Sequence, residues 1–524
     1  MRPCFFRNAA PHNPRSAFVY LRLGRQFLVA AAVLSCAGGC RLPDDNLSRK
    51  SPLPEPMRSA AARPTFAPVA EPAEIERAAF IAWLQARLTP QARVVDEKGK
   101  PVQVAFVTQK NNTYTQVAQS LLDVTAIYEA DDLARSIARL LHDKRTDLGA
   151  TLRAGTAFTV PQLLTKPYLQ GDAARIGWPE DKALRGLYLR GPSARGPRYL
   201  RLLKNMVARD YNAIVLDLRD YDGVITYDTK AALAVQSKAS RGAPIRDLAR
   251  VVRFAHAANV RVIARISCFH DETVSKVRPD LVIRNKQGKP HRIGWLDPRN
   301  TTAQDYVIDL ANEAMDAGAD EIQLDYVRYP VKGIKNADFG LQGTKVTKVE
   351  VIRDFVRRVH AVTQERGVPL SLDIFGMSAQ GTRADVEALG QDPAVLAREC
   401  EVLSPMVYPS HYENGFLGFA VPGDHPEIVG IGTAKTLSLL DKGSTTLVRS
   451  WVQAVNWKSP TYSPAYLRTE MDSADTHGGV GWLLWQPAQD YSFAWAARPV
   501  GTGRFMVATK AKQTPPAELT QAQH

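Results

Sequence analysis

The chain has 524 residues, of which 45% are hydrophobic and 23% are charged, and it carries a formal net charge of +14. This length predicts two or three folded units, and the composition is typical of a soluble globular protein. Residues 1–40 hold five arginines and no acidic residue, so the surplus charge of the remainder is smaller. No dense block of lysine and arginine follows in the sequence, which argues against a nucleic-acid-binding protein.

Residues 1–40 have the pattern of an export signal. Two arginines precede an apolar run at 27–36 that is too short to span a bilayer. The small residues before Cys36 and before Cys40 resemble the lipobox of bacterial lipoproteins, in which the cysteine is lipidated, and Cys40 fits slightly better. We therefore expect an exported protein, anchored to a membrane by a lipid at Cys40 and facing the periplasm or the cell surface. The alternative is a plain secretory signal.

A linker and a small module are predicted next. Residues 41–72 are rich in proline, alanine and charge and lack hydrophobic periodicity, as expected of a disordered tether. Residues 73–165 show helical and β-type spacing in turn, which predicts a small α+β module. The end of this module resembles a LysM carbohydrate-binding module, and the matching residues are Leu152, Gly155, Phe158, Val160 and Pro161. The resemblance implies glycan binding, and the alternative is a packing domain that binds nothing.

Residues 184–492 alternate between strand and helix patterns. A helical pattern follows nearly every strand candidate, and this repeat predicts a (β/α)8 barrel, the TIM barrel. The strand candidates are 185–191, 212–220, 261–269, 320–329, 369–377, 401–409, 446–455 and 479–487. A doubly wound open sheet is the competing fold, but it requires a phosphate-binding glycine loop after the first strand, and "GPSARG" is not one. Residues 493–524 are predicted to form a disordered tail.

Polar and aromatic side chains gather where the predicted strands end, which is where a barrel of this kind places its active site. The candidates are Tyr188, Asp217, Arg265, His270, Asp325, Arg328, Asp373, Tyr408, His411, Trp451 and Trp485. Aromatic faces stack on sugar rings and carboxylates bind hydroxyl groups, so this rim suits a glycan better than a nucleotide. Trp482 and Trp485 fall on opposite faces of their strand, which places one of them in the core.

Asp325 and Asp373 are the candidate catalytic pair. They stand at equivalent depths on neighbouring strands about 4.8 Å apart, which brings their carboxyl groups close to the roughly 5–5.5 Å separation of retaining glycosidases. Arg328 or Arg265 would keep Asp325 ionised as the nucleophile, and burial would keep Asp373 protonated as the acid/base. The alternatives are a structural ion pair between Asp325 and Arg328, and a loop-capping role for Asp373.

Other catalytic chemistries find little support in the sequence. No HExxH motif or paired-cysteine spacing accompanies His270 and His411. We therefore interpret both histidines as substrate contacts or as hydrogen-bonded residues of the rim, and expect neither a metal nor a cofactor. No Gly-x-Ser-x-Gly motif is present, which argues against a serine hydrolase.

The ordered motifs of residues 184–492 resemble a bacterial family of glycoside hydrolases that is defined largely by sequence. They include "RGLYLRG", "VIARISCFHD", "DEIQLDYVRYP" and "SPMVYPSHY", of which the last two are the most specific. The resemblance implies an α-amylase-like barrel that hydrolyses O-glycosidic bonds, with Asp325 as the nucleophile. Our leading hypothesis is that the substrate is a polysaccharide or peptidoglycan. α-Amylase-type enzymes place a glutamate acid/base where this chain has Asp373, so Glu401 and Glu413 stay open as alternatives. The rival hypothesis is a non-catalytic glycan-binding scaffold of the cell envelope.

Overall fold

The computed structural model describes residues 77–144 and 147–500. The predicted export signal, the lipidation site at Cys40 and the linker at 41–72 lie outside these residues. Within the described ranges, no helix is both long enough and apolar enough to cross a bilayer.

The helices are α1 (Arg77–Gln85), α2 (Tyr114–Leu121), α3 (Ala130–Leu140), α4 (Gly196–Val207), α5 (Ala232–Ser237), α6 (Leu248–Ala257), α7 (Val274–Val277), α8 (Thr301–Asp316), α9 (Lys348–Glu365), α10 (Arg383–Leu389), α11 (Pro393–Leu396), α12 (Ile428–Leu439), α13 (Pro464–Thr476) and α14 (Ser492–Ala497). The strands are β1 (Ala92–Val95), β2 (Gln103–Val107), β3 (Ala157–Thr159), β4 (Leu184–Arg190), β5 (Ala213–Arg219), β6 (Arg261–Ser267), β7 (Arg284–Asn285), β8 (Glu321–Asp325), β9 (Ala337–Asp338), β10 (Leu370–Phe375), β11 (Val402–Met406), β12 (Leu447–Val448), β13 (Ser450–Gln453) and β14 (Gly481–Trp485).

Parallel strands close into a barrel between residues 184 and 485. Their order around the barrel is β4, β5, β6, β8, β10, β11, then β12 and β13, then β14, which pairs with β4 again. β12 and β13 are two parts of one strand interrupted at Arg449, whose amide donates to the carbonyl of Leu403 in β11. Each of the eight predicted strand segments contains one strand of this barrel, so the predicted (β/α)8 fold is confirmed.

The barrel strands are buried on both faces because helices cover the outside of the sheet. Every residue of β5 and β6 is buried. The covering helices are amphipathic: α9 buries Ile352, Phe355, Val356 and Val359, at the spacing of a single helical face. These two layers explain why the strands are mostly apolar in sequence and why apolar residues recur in the helices with a period near 3.6 residues.

Polar residues of β8 point into the barrel. Glu321, Gln323 and Asp325 alternate with two apolar residues that face the outer helices, as the two-residue period of a strand requires. Near the N-terminal end of the barrel, Glu321 pairs with Arg449 at 2.9 Å and accepts a hydrogen bond from Trp178 at 3.1 Å. Asp325 ends the same row of side chains at the opposite, C-terminal mouth.

The module before the barrel has its own hydrophobic core. β1, β2 and β3 form an antiparallel sheet in that order, and α2 and α3 connect β2 to β3. Strand, helix, helix and strand is the order that the LysM resemblance implies, with β1 as an additional strand. The resemblance itself and glycan binding by this module stay predictions.

The module docks on the barrel at the start of α4 and at α6. The Tyr128 hydroxyl donates to the carbonyl of Ala194 at 2.6 Å, and the Glu129 carboxylate accepts the amide of Gly196 at 2.6 Å. Arg250 of α6 donates to the carbonyl of Tyr128 at 2.7 Å. These polar contacts fix the module against the first turns of α4 and α6, in the outer helical layer of the barrel.

The C-terminal boundary of the barrel domain differs from the prediction. The helix α14 (Ser492–Ala497) falls almost entirely in the predicted tail at 493–524. Its Ala494 and Ala497 are buried, and the carbonyl of Ala494 accepts a hydrogen bond from the Tyr211 hydroxyl at 2.9 Å. The short apolar segment "SFAWAA" thus closes the outer layer next to β14 instead of leaving the fold.

Candidate active site

A cavity opens at the C-terminal ends of the barrel strands, where this fold places an active site. Every strand contributes side chains to it, either from its last residues or from the loop that follows. The lining residues are Tyr188, Arg190, Asp220, Tyr221, Arg265, Asp325, Tyr326, Arg328, Asp373, Phe375, Met406, Tyr408, His411, Trp451, Trp485 and Pro487. All the predicted site residues except Asp217 and His270 are among them.

Arg265 connects three aspartates at the floor of this cavity. Its Nη1 donates to Asp217 at 2.5 Å, its Nη2 donates to Asp325, and its Nε lies 3.8 Å from Asp373 Oδ2. The strand register places Arg265 opposite Asp217, and Asp325 opposite Ser267, two residues further along β6. Each of the four charged residues is less than a tenth exposed. One buried cation therefore serves three carboxyl groups, and ionising all three would leave uncompensated negative charge.

Asp373 is the more deeply buried of the two candidate catalytic carboxyl groups. It is 1% exposed, and burial together with the charge of Asp325 raises its pKa well above the ordinary range. Trp451 donates to Asp373 Oδ1 at 2.6 Å, while Oδ2 has no hydrogen-bond partner among the described residues. Burial and the neighbouring negative charge thus both favour the protonated form of Asp373.

Asp217 contacts two residues that line the cavity floor, Arg265 and Tyr188. Its second oxygen accepts a hydrogen bond from the Tyr188 hydroxyl at 2.6 Å. Burial raises the pKa of Asp217 to about 7, although Arg265 opposes that effect. Asp217 is not among the residues that line the cavity, so the structure does not show the direct substrate contact that the sequence predicts. Its carboxyl group instead orients Arg265 and Tyr188, which do line the cavity.

Replacement of Arg265 by methionine is expected to destabilise the barrel in a pH-dependent way. The variant leaves three buried carboxyl groups without their cation, and removing one partner of a buried ion pair costs roughly 3–5 kcal/mol. When the pKa of an aspartate is higher in the folded protein than its unfolded value of about 3.9, the protein loses stability as the pH rises from the unfolded pKa to the folded pKa. The loss should therefore be large at pH 8 and small near pH 4, which urea unfolding measures. Equal losses at both pH values would show that Arg265 acts through packing.

Arg265, not Arg328, is the cation that contacts Asp325. The Arg328 guanidinium lies 5.1–5.2 Å from the centroids of three rings, those of Trp295, Tyr326 and Phe375. Between Asp325 and Arg328 the backbone of Tyr326 is left-handed, with a φ of 51°, immediately after β8 ends. The same conformation lets the Tyr326 amide donate to Asp325 Oδ1 at 2.6 Å. The alternative of a structural ion pair between Asp325 and Arg328 is therefore not seen, and of the two cations predicted to contact Asp325 it is Arg265 that does so, while Arg328 forms part of an aromatic wall.

His270 belongs to a stack of rings behind that wall. Its ring lies 5.6 Å from Tyr221, nearly parallel to it, and 5.5 Å from Tyr326. Its Nδ1 donates to the carbonyl of Tyr221 at 2.5 Å, and burial lowers its pKa. Tyr221 and Tyr326 line the cavity while His270 does not. His270 therefore supports two cavity residues, and the predicted direct contact with substrate is not seen.

Aromatic rings also form the opposite wall. The Tyr408 ring lies 5.5 Å from Trp485 and 4.9 Å from His411. Burial lowers the pKa of His411 to about 3, so its ring is neutral at physiological pH. Trp485 lines the cavity, whereas Trp482 is fully buried against Tyr211 on the outer side of the sheet. This division confirms that one of the two tryptophans is a core residue.

The two glutamates that the sequence leaves open as acid/base lie away from Asp325. Glu401 precedes β11 at the N-terminal end of the barrel, where it contacts His360 and accepts the amide of Leu370, both at 2.8 Å. Glu413 lies on the loop after β11 and lines a second cavity. Of the three candidates, Asp373 is the one that shares the central cavity with Asp325.

Several lining residues were missed in the sequence, among them Tyr221, Tyr326, Phe375 and Met406. Each is the last residue of a barrel strand or follows one within two residues. That position is the signal that could have identified them, because the C-terminal strand ends and the loops after them build the site in this fold.

Fold and site together define a (β/α)8-barrel protein with a carboxylate-rich, aromatic cleft at the C-terminal mouth. In residues 77–144 and 147–500, no group of three His, Cys, Asp or Glu side chains is arranged to hold a metal ion. The family model described as "Putative glycosyl hydrolase domain" matches residues 186–491, and the chain belongs to this family. The predicted relationship to a glycoside hydrolase family is thereby confirmed.

Solved structures with similarity to the chain are distant. A hypothetical protein from Ruminiclostridium thermocellum ATCC 27405 is 31% identical over 36% of this chain and 96% of its own, with a TM-score of 0.32. The α-galactosidase TtGalA from Thermus thermophilus is 16% identical over 58% of each chain, with a TM-score of 0.37. The spore cortex-lytic enzyme SleL from Bacillus cereus is 11% identical over 77% of this chain and 87% of its own, with a TM-score of 0.35. No curated protein matches the sequence.

Proposed function

We propose that the chain is a retaining glycoside hydrolase that cleaves O-glycosidic bonds in a polysaccharide or cell-envelope glycan. In this proposal Asp325 is the nucleophile and Asp373 is the acid/base. The observation that carries it is the shared position of these two carboxyl groups: both contact the guanidinium of Arg265, and both line the same cavity.

The positions of the two aspartates on adjacent strands support a double-displacement mechanism. β8 and β10 pair with Leu324 opposite Leu372, so Asp325 and Asp373 are the next residues on adjacent parallel strands. Adjacent strands lie about 4.8 Å apart, and retaining glycosidases hold their carboxyl groups roughly 5–5.5 Å apart. Inverting enzymes need a wider gap of roughly 6.5–9.5 Å for a water molecule. The adjacent position of the pair favours retention.

The hydrogen bonds of Asp325 and Asp373 suit the first to act as nucleophile and the second as acid/base. Both oxygens of Asp325 accept hydrogen bonds, one from Arg265 and one from the Tyr326 amide, as an ionised carboxylate does. Asp373 lies deeper, receives one hydrogen bond from Trp451 and has a raised pKa. The ionised group is suited to attack and the neutral group to proton donation, because opposite environments assign opposite roles to two carboxyl groups.

The reaction follows from these roles. A sugar ring enters between the aromatic walls, with its anomeric carbon above Asp325. Asp325 attacks that carbon while Asp373 donates its proton to the departing glycosidic oxygen, which gives a covalent glycosyl-enzyme. Asp373, now ionised, then takes a proton from water, whose oxygen attacks the same carbon and releases Asp325. The enzyme returns to its starting protonation state, and the product keeps its anomeric configuration.

We also propose that this activity is exported and held at a membrane by a lipid on Cys40. The support is the sequence of residues 1–40, whose arginines, short apolar run and small residues before the cysteine fit such a signal. A tethered enzyme would act on polysaccharide or peptidoglycan near the membrane surface. Radiolabelled palmitate incorporation in wild type but not in a Cys40→Ala variant would support the anchor, and equal incorporation would contradict it.

A panel of glycans that includes peptidoglycan and α-glucans tests the proposed function. The release of reducing ends is expected from at least one member. Proton NMR of the first product formed should then show the same anomeric configuration as the substrate bond. An inverted product would overturn the assignment of Asp325 as nucleophile, and a panel without any reducing ends would favour the non-catalytic glycan-binding alternative.

A further inference from the structure

A second cavity lies beside the central one on the side of the fifth, sixth and seventh strands. Its volume is about 640 Å³, against about 110 Å³ for the central cavity. The two cavities share four lining residues, namely Phe375, Met406, Tyr408 and His411. Pockets for drug-sized ligands occupy roughly 300–1,000 Å³. The cleft is therefore asymmetric, with most of its volume on one side of the catalytic pair.

The second cavity is built by two loops that one glutamine holds together. Gln453, at the end of β13, donates to the carbonyls of Val455 at 2.9 Å and Trp457 at 3.0 Å. Its side-chain oxygen accepts a hydrogen bond from Ser410 on the loop after β11. Gln453 is fully buried. A buried amide that satisfies both loops fixes the cavity walls before any ligand binds.

Aromatic rings line this cavity. Trp457 lies 4.9 Å from the ring of His411, at a steep angle to it. Tyr412 stacks on Phe416 with 3.9 Å between ring centroids. Flat apolar faces combined with polar groups such as Glu413 and the amide of Asn414 make a lining suited to sugar rings, whose own surfaces are part apolar and part hydroxyl.

The position of the second cavity relates it to one half of the reaction. Phe375, which both cavities share, is two residues beyond Asp373 on β10. Met406 lies opposite Phe375 on the next strand. Asp325 lies on the other side of Asp373, on β8. The second cavity is thus next to the residue that donates a proton to the leaving oxygen, and further from the nucleophile.

We propose that the second cavity is the leaving-group subsite and that it binds an oligosaccharide portion of the substrate, with sugar rings packed on Trp457 and Tyr412. This proposal rests on the proposed function, in which Asp373 protonates the leaving oxygen. It predicts that the enzyme favours glycan chains with two or more sugar units on the leaving side over glycosides of small alcohols. Binding energy from those distant units would raise the rate of bond cleavage.

A Trp457→Ala variant tests this subsite with two substrates of the sugar that the wild type accepts. One is an oligosaccharide, and the other is a glycosyl fluoride, whose leaving group is a single atom that cannot reach the second cavity. The variant should lose about tenfold more kcat/KM on the oligosaccharide than on the fluoride, a difference of 1.4 kcal/mol. Trp457→Phe should restore most of this loss, because it keeps an aromatic face. Equal losses on both substrates would overturn the assignment.

Trp495→Ala is the matched control. Trp495 lies on α14 outside the cleft, where its ring is 5.6 Å from Tyr211. Its loss removes an aromatic ring from the barrel without touching either cavity, so any effect should be the same for both substrates. A preference for one substrate in this variant would mean that general destabilisation mimics the expected result, and the inference would then fall.

Binding to an inactive enzyme separates this inference from the proposed function. Calorimetry with the Asp325→Asn variant measures the affinity for the oligosaccharide without turnover. Adding Trp457→Ala should weaken that affinity about tenfold. If the double variant binds more weakly but the wild type hydrolyses no glycan, the second cavity binds glycan and the proposed hydrolase activity is wrong. If the wild type hydrolyses the glycan but the double variant binds it as tightly as Asp325→Asn does, the hydrolase activity is supported and the assignment of the second cavity is wrong.

Discussion

Replacement of Asp325 by asparagine is expected to abolish glycan hydrolysis while the barrel stays folded. Asparagine has nearly the same shape but cannot form the ester bond to the anomeric carbon, so the first chemical step loses its nucleophile. Removing the nucleophile of a hydrolase costs roughly a millionfold in kcat in a well-studied case. A loss of this size in reducing-end release is the expected result, measured on the glycan that the wild type cleaves best.

The matched control for this variant is Asp228→Asn. Asp228 is 47% exposed at its side chain and pairs with the exposed Arg246 at 3.2 Å. Surface ion pairs of this kind contribute roughly 0–1 kcal/mol, so this variant should keep wild-type activity. Circular dichroism and thermal unfolding should show a folded Asp325→Asn protein. Activity within tenfold of wild type in a folded Asp325→Asn variant would contradict the nucleophile assignment.

Much of the barrel could be predicted because its strands obey two simple rules. Each strand is apolar enough to be buried on both faces, and nearly every strand candidate is followed by a helical pattern, of which α9 is a clearly amphipathic example. The split seventh strand could not be predicted in detail. Its interruption at Arg449 depends on a buried ion pair with Glu321, 128 residues earlier in the chain. A contact over that distance leaves no local pattern in the sequence.

The site shows the same division between local and distant information. Asp325 and Asp373 could be placed because each lies at the end of a strand, and strand ends meet at one mouth of a barrel. The choice of cation could not be made from the sequence. Arg328 is three residues from Asp325, but its guanidinium packs among aromatic rings. The cation that contacts Asp325 is Arg265, on the neighbouring strand β6. The second cavity was missed because Trp457 and Tyr412 line one cavity only when two loops that are distant in sequence fold side by side.

Replacement of Asp373 by alanine is expected to damage two substrates to very different extents. A general acid contributes roughly 100- to 10,000-fold to rate, and a glycan leaves as an alkoxide unless it receives that proton. The kcat/KM for the glycan should therefore fall by roughly 100- to 10,000-fold. Fluoride needs no proton to depart, so the kcat/KM of a glycosyl fluoride should change far less. Measuring both substrates on one preparation of the variant distinguishes loss of the acid from loss of the fold.

The second half of the reaction provides an independent check on Asp373. Without a base to deprotonate water, the glycosyl-enzyme on Asp325 should accumulate, and kcat for the fluoride should fall even though kcat/KM does not. Azide needs no base, so adding it should restore kcat and yield a glycosyl azide with the same anomeric configuration as the product of the wild type.

The pH dependence of the wild type should report the same residue. Asp373 must be protonated for the first step, so activity on glycans should fall as the pH rises through its raised pKa. The Asp373→Ala variant should lose that alkaline limb, because the proton donor of the first step is no longer present. If azide has no effect and the alkaline limb persists in the variant, the acid/base is another residue, and the contact of Asp373 with Arg265 stabilises the fold alone.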